Sequence, residues 1–186
     1  QMANGAESTY SAVIEFGTPV LDADGSFQFG GDGLMKVFWP VAKHGWKRFD
    51  LLMDYFKARR GKELLGQGRE KLFTPQEIKA GLKLGQQYPE FAAVFGAYQK
   101  FNQRMLDWYV SMDLITEEQR DAFGEANKSY VPFHRITKMI AEGGSGAGSG
   151  IGQRLAGGTA NTRDIAVNIV EGLYSNVRGA LVARAK

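Results

Sequence analysis

The chain has 186 residues and a formal net charge of +3, with 44% apolar, 23% charged and 12% aromatic residues, enough to bury one sizeable core and ordinary for a globular domain. It contains no cysteine, which excludes disulfides, thiolate nucleophiles and cysteine-type zinc sites together and leaves the redox compartment open. No apolar run approaches the ~18 residues of a membrane span, and no basic start followed by an apolar core marks a signal peptide. The charge is uneven: residues 1–45 sum to −3, residues 46–141 to +4 and residues 142–186 to +2. That balance permits contact with nucleic acid or an acidic partner and demands neither. The chain begins with Gln1, which suggests a piece of a longer polypeptide.

Residues 8–16, "STYSAVIEF", read as a short helix closed by Gly17 and Pro19. In "PVLDADGSFQF", Asp24-Gly25 lies between two short apolar runs and predicts a hairpin. Two strands are marginal alone in water, so this hairpin must rest on helices. "DGLMKVFWPV" reads as a short helix stopped near Pro40. From Trp46 to about Gln67, Phe49, Leu52, Met53, Phe56, Leu64 and Leu65 recur at helical spacing. Gly61 weakens this helix, and Gly66 and Gly68 end it. "TPQE" opens the next, with Thr74 as N-cap, Pro75 at the first helical position and Glu77 closing a capping box. That helix should run to about Gln87.

Beyond Pro89 comes the clearest signal. Phe91, Val94, Tyr98, Phe101, Met105, Trp108 and Met112 recur alternately three and four apart, a heptad-like seam widened by Phe95 and Tyr109. A seam widened in this way suits a helix of the same chain as its partner. Thr116 with Gln119 starts a further short helix to about Asn127. "YVPFHRI" at 130–136 is extended, because Val131 precedes proline. The segment 142–158 contains "GGSGAGSG" and reads as a flexible linker. It lacks GxGxxG and a following Lys-Ser or Lys-Thr, so a phosphate-binding loop is excluded. On the final helix Ile165, Ile169, Leu173, Val177 and Leu181 form one apolar stripe, with Gly172 and Gly179 as points for close helix approach.

The chain offers little for catalysis. His44, before Gly45, reads as an exposed residue or a cation at a helix C-terminus. His134 reads as a buried hydrogen-bonded residue or a partner contact, and neither histidine has a serine or carboxylate at recognisable motif spacing. "DADG" at 22–25 resembles the opening of a calcium loop, yet Ser26 and Gly33 stand where that loop needs ligands, so a turn is expected. No catalytic residue, metal or cofactor is assigned. Between residues 43 and 71 nine cations face four carboxylates. Lys43, Lys47, Arg48, Lys57, Arg59, Arg60 and Lys62 are the candidates for phosphate contact. The interspersed acids also suit a solvated helix face with pairs such as Arg59–Glu63.

"GREKLFTPQEI" (68–78), "YPEF" (88–91), "YQKFNQRMLD" (98–107) and "YVPFHR" (130–135), taken in order, carry a resemblance. The chain resembles, over roughly residues 17–186, a helical region of the large polyvalent proteins of bacteriophages and related mobile elements. Gln76 stands where that family often has Glu, and His134 where Tyr is frequent. The resemblance implies a module of a very large multidomain protein that travels with phage DNA or acts soon after entry, located in the virion or the bacterial host cytoplasm. It supplies no catalytic residue. Implied partners are other domains of the parent protein, or other phage or host proteins.

The expected fold is mainly α: a multi-helix bundle with a small N-terminal β-hairpin over residues 1–141, a linker over 142–158, and a C-terminal amphipathic helix over 159–186. "YVPFHRI" is expected to clamp the bundle, with Tyr130 and Phe133 laid into it and Arg135 on a carboxylate or a helix end. Tyr130, Phe133, His134 and Arg135 are thus the candidate partner-binding residues. The expected function is a structural or protein-interaction module without catalysis. The alternatives are a nucleic-acid binder using the basic region, and an enzyme whose site is assembled from scattered residues.

Overall fold

The apolar seam on residues 91–112 finds its partners within the chain. A computed structural model describes residues 2–24, 26–70, 72–132, 135–136, 159–160 and 165–184. Helix α5 (Glu90–Ser111) buries Phe91, Val94, Tyr98, Phe101, Met105 and Trp108 along one face, with Phe95 beside them. Against that face lie α2 (Leu34–Ala42) and α3 (Trp46–Gly66). Phe56 of α3 is fully buried, with its ring 4.9 Å from Phe95 in an edge-on contact and 5.3 Å from Tyr98. Phe38 of α2 meets both Phe56 and Tyr98. Edge-to-face and offset rings are the arrangements that the aromatic quadrupole favours, so a core rich in phenylalanine also gains orientation.

Helix α1 spans Met2–Phe16, six residues longer at its start than the sequence pattern suggests. Ala6 is buried within this added stretch, and tertiary contact overrides weak propensity. The helix ends at Gly17, whose φ of 113° suits glycine. A Cβ there would stand 2.5 Å from the carbonyl oxygen of Gly30, so the close approach of the hairpin requires glycine as well. Strands β1 (Thr18–Leu21) and β2 (Phe27–Gly30) pair antiparallel, with Thr18 opposite Gly30 and Leu21 opposite Phe27. Asp22 organises the turn by accepting from the backbone N–H groups of Asp24 (3.1 Å) and Ser26 (3.0 Å) and from the Ser26 hydroxyl (2.6 Å). The hydroxyl of Ser26 holds its carboxyl below the usual range. The stretch from Asp22 to Asp24 is therefore a turn, as expected.

Pro40 does not stop α2, which continues to Ala42. Only two residues follow the proline, so it removes a single ladder bond near the helix end. Val41, fully buried, and the bond from the Lys43 N–H to the Trp39 oxygen hold the last turn. Helix α4 (Pro75–Gln87) begins at the capping box read from the sequence. Thr74 Oγ1 accepts from the Glu77 N–H (3.2 Å), and the Glu77 carboxylate accepts from the Thr74 N–H (2.7 Å). That backbone bond holds the Glu77 carboxyl below its ordinary value. Helices α3 and α4 approach closely because α4 presents glycine. A Cβ on Gly81 would lie 2.5 Å from that of Ala58, and one on Gly85 would lie 2.7 Å from the Tyr55 ring. Gly172 and Gly179, expected to play this part, instead face open space.

Helix α6 (Glu117–Ala126) starts at a second capping box, between Thr116 and Gln119. Beyond it, β3 (Arg135–Ile136) pairs antiparallel with β4 (Thr159–Ala160), just before α7 (Ile165–Arg184). The stripe on α7 is buried at Ile165, Ile169, Leu173 and Val177 and half-buried at Leu181. These residues join the same core cluster as α2, α3 and α5. Tyr174 meets Tyr10 of α1 edge-on at 5.4 Å. The chain is thus a mainly helical bundle with an N-terminal hairpin. The Gly-rich segment lies outside the described residues.

Candidate interaction groove

The segment after α6 is held from both sides by side chains that the bundle brings together. From α3 and its C-cap, Gln67 donates to the Ala126 carbonyl (2.9 Å), Arg60 donates to the side-chain oxygen of Asn127 (2.8 Å), and Glu63 accepts from the Ser129 N–H (3.1 Å). From α5, Gln99 and Asn102 both donate to the Tyr130 carbonyl (2.9 and 3.4 Å). Asn127 in turn donates to the Phe123 carbonyl (2.9 Å), which closes α6. Val131 is fully packed, at 2% exposure. The first residues of "YVPFHRI" are thus clamped against the bundle, with Val131 as a buried anchor beside Tyr130, while Phe133, the other residue expected in the bundle, lies outside the described residues. Tyr130 is half-buried, edge-on to Phe123 at 5.3 Å and beneath the Arg60 guanidinium at 5.7 Å.

Arg60 is the electrostatic centre of this clamp. It is 4% exposed and forms an ion pair with Glu63, three residues on along α3. Burial lowers its pKa from the usual arginine value, and the Glu63 hydrogen bond opposes that shift. A buried charge is tolerated when it is paired and hydrogen-bonded, and Glu63 supplies the pairing while Asn127 supplies a second acceptor. The pairing read from sequence was Arg59–Glu63. Arg59 instead lies over the Phe95 ring at 4.5 Å and donates to the Tyr55 hydroxyl (2.9 Å), because it points toward α5 while Arg60 faces the 127–131 segment.

Between α5 and α6, this clamp leaves an open groove of about 570 Å³. One wall is an amide stripe on α5, formed by Gln99, Asn102 and Gln103, with Leu106 one turn further. Gln103 is exposed, and its side-chain oxygen lies 3.8 Å from where a Cβ on Gly124 would stand. The opposite wall holds Phe123, Arg120 and Lys128. Arg120 pairs with Asp107 (2.8 Å) and Asp121 (3.0 Å), and the Asp107 hydrogen bond raises its pKa. Lys128 is likewise raised by its bond to Glu125 (2.9 Å). Tyr130 closes one end. Such a lining offers side-chain amide donors and acceptors to a peptide backbone, aromatic edges to apolar groups and both signs of charge.

Of the four residues named as partner contacts, Tyr130 lies at this groove. Arg135 is placed only through its strand pairing with Ala160. Phe133 and His134 lie outside the described residues. The basic region divides. Arg48 pairs with Glu90 (2.7 Å) and stacks over Tyr88 at 4.2 Å, and Lys57 pairs with Asp54 (2.8 Å). With Arg59 and Arg60, four of the seven candidates are engaged inside the fold. Lys43, Lys47 and Lys62 are exposed. Lys43 caps α2 and does not belong to α3, so these cations do not form one helix face. His44 lies in the turn between the two helices and is exposed.

The groove was not named from sequence, although a signal exists. Gln99, Asn102, Gln103 and Leu106 follow helical spacing on the flank of α5 away from its apolar seam. Among the described residues no cluster of His, Asp or Glu is arranged to hold a metal ion, and no helix is long and apolar enough to cross a membrane. Comparison of the chain with family models, curated proteins and solved structures returns no match.

Proposed function

We propose that this chain is a structural and protein-interaction module without catalysis, belonging to a large polyvalent protein of a bacteriophage or related mobile element. In this reading it works in the virion or the host cytoplasm. The observation that carries it is the groove between α5 and α6, with its amide wall and its Tyr130 end held in place by the Arg60–Glu63–Asn127 clamp. A groove of this lining suits an extended peptide segment, whose main chain pairs with amides and whose side chains meet Phe123 and Leu106. The occupant is another domain of the parent protein, or another phage or host protein. Because the clamp orders the groove walls beforehand, binding needs little further ordering.

The test is a selection of displayed random peptides against the purified chain, followed by screening on Gln103→Arg and Lys128→Glu. Both positions are exposed, so neither change disturbs the core. Enriched peptides should lose roughly tenfold or more in affinity on Gln103→Arg, about 1.4 kcal/mol. A selection that yields no binder, or binders indifferent to both substitutions, would contradict the reading.

A further inference from the structure

Helix α2 has the composition of a helix covered on all sides. Its sequence "LMKVFWPVA" has one charged side chain, Lys36, in nine residues. Leu34, Val37 and Val41 face the core, while Met35 and Trp39, one turn apart, are 63% and 61% exposed. A helix apolar all round is normally covered on both faces. Immediately after the turn at Lys43-His44-Gly45, Trp46 opens α3 at 80% exposure. Its ring rests edge-on against Phe49 at 6.0 Å, and Phe49 meets Phe38 at 5.5 Å. Trp46 is therefore the outer end of an aromatic chain rooted in the core, carried on the tip of a helical hairpin.

The charge at this tip has one sign. Residues 33–49 contain Lys36, Lys43, Lys47, Arg48 and His44 and no carboxylate. Asp32 neutralises Lys36 (2.7 Å) and Glu90 neutralises Arg48 (2.7 Å). Lys43 and Lys47, both exposed, form no ion pair with the described residues. Asp50, one turn beyond Trp46 on α3, is an exposed carboxylate and marks the lower edge of the patch. Two indoles and a thioether present roughly 400 Å² of apolar surface, about half of the ~800 Å² that each side of a standard protein interface contributes. A side chain four-fifths exposed projects outward from the tip. Tryptophan beside lysine suits a bilayer interface, with the rings among the headgroups and the ammonium groups on lipid phosphates.

We infer that the α2–α3 tip, through Met35, Trp39 and Trp46 with Lys43 and Lys47, docks peripherally on an anionic lipid surface. This surface is separate from the groove, and the inference stands whether or not the groove binds peptide. It requires no spanning helix.

The test is co-sedimentation of the chain with vesicles of three parts phosphatidylcholine to one part phosphatidylserine, alongside vesicles of phosphatidylcholine alone. Tryptophan emission is recorded in parallel. Trp108 is buried, so a blue shift on vesicle addition reports Trp39 and Trp46. The expected result is binding to the anionic vesicles with a blue shift. Partitioning should fall roughly tenfold or more in Lys43→Glu/Lys47→Glu, and the shift should be lost in Trp39→Ala/Trp46→Ala. Circular dichroism checks that each variant is folded, and the charge-reversal pair keeps the test decisive if the tryptophan pair unfolds. Absence of binding to anionic vesicles would overturn the inference, as would equal binding to both vesicle types. Binding of labelled duplex DNA through the same lysines, with vesicles ignored, would also overturn it and reassign the tip to nucleic acid. Vesicle-independent capture of a protein partner by the tryptophans would do the same in favour of a protein.

Discussion

Phe56→Ala is expected to lower unfolding free energy by about 3–5 kcal/mol, the first of two large stability losses argued from this fold. Phe56 is fully buried where α2, α3 and α5 converge, with its ring against Phe38, Phe95 and Tyr98. Removing it forfeits its transfer free energy and leaves a void among rings held at fixed angles, which cannot collapse without breaking those contacts. Phe101→Ala and Trp108→Ala lie on the same seam and should fall in the same range. Urea unfolding followed by circular dichroism gives the number. Wild-type stability in the Phe56 variant would mean that the seam of α5 does not pack against α3.

The second expected loss is electrostatic. Glu63→Ala leaves the Arg60 guanidinium buried without its carboxylate and deprives the Ser129 N–H of its acceptor. Breaking one side of a buried pair costs about 3–5 kcal/mol, whereas replacing the pair by apolar residues of similar volume is often neutral. The double variant Arg60→Met/Glu63→Leu removes the unpaired charge but still leaves the Ser129 N–H and the Asn127 side-chain oxygen without these partners, so it should recover only the electrostatic part of what Glu63→Ala loses. Equal losses in both would assign the effect to packing alone, and no loss in Glu63→Ala would remove the clamp from the energetics of the fold. Thermal unfolding of the three proteins under one buffer distinguishes these outcomes.

The parts of the fold legible in sequence are those governed by local periodicity or local hydrogen bonding. Spacings of three and four along 91–112 identify a buried face, and the seven seam residues, Phe91, Val94, Tyr98, Phe101, Met105, Trp108 and Met112, are all buried. Thr74 and Thr116 each reach only three residues ahead to form their caps, so both capping boxes are visible from composition and order. Distant contacts are a different matter. Arg60 is one of nine cations between residues 43 and 71, and nothing within a turn of it points to Asn127, 67 residues later. The same holds for the glycines. Gly172 and Gly179 are no less plausible in sequence than Gly81 and Gly85 as points of close approach, and only the placement of Ala58 and Tyr55 decides between them. The groove follows this rule: its amide stripe has helical spacing, while its other wall depends on how α6 crosses α5. Pro40 and the early start of α1 show the converse, where burial of Val41 and Ala6 outweighs an unfavourable local signal.

Chemical-shift mapping of a selected peptide on the ¹⁵N-labelled chain tests the interaction reading most directly. The groove predicts that the side-chain amide signals of Gln99 and Gln103 move together with the backbone signals of Gly124 and Lys128. The exposed Gln76 and Gln86 on α4 should stay fixed. Shifts confined to α4, or to the tip between Trp39 and Trp46, with the α5 amides unmoved, would contradict it.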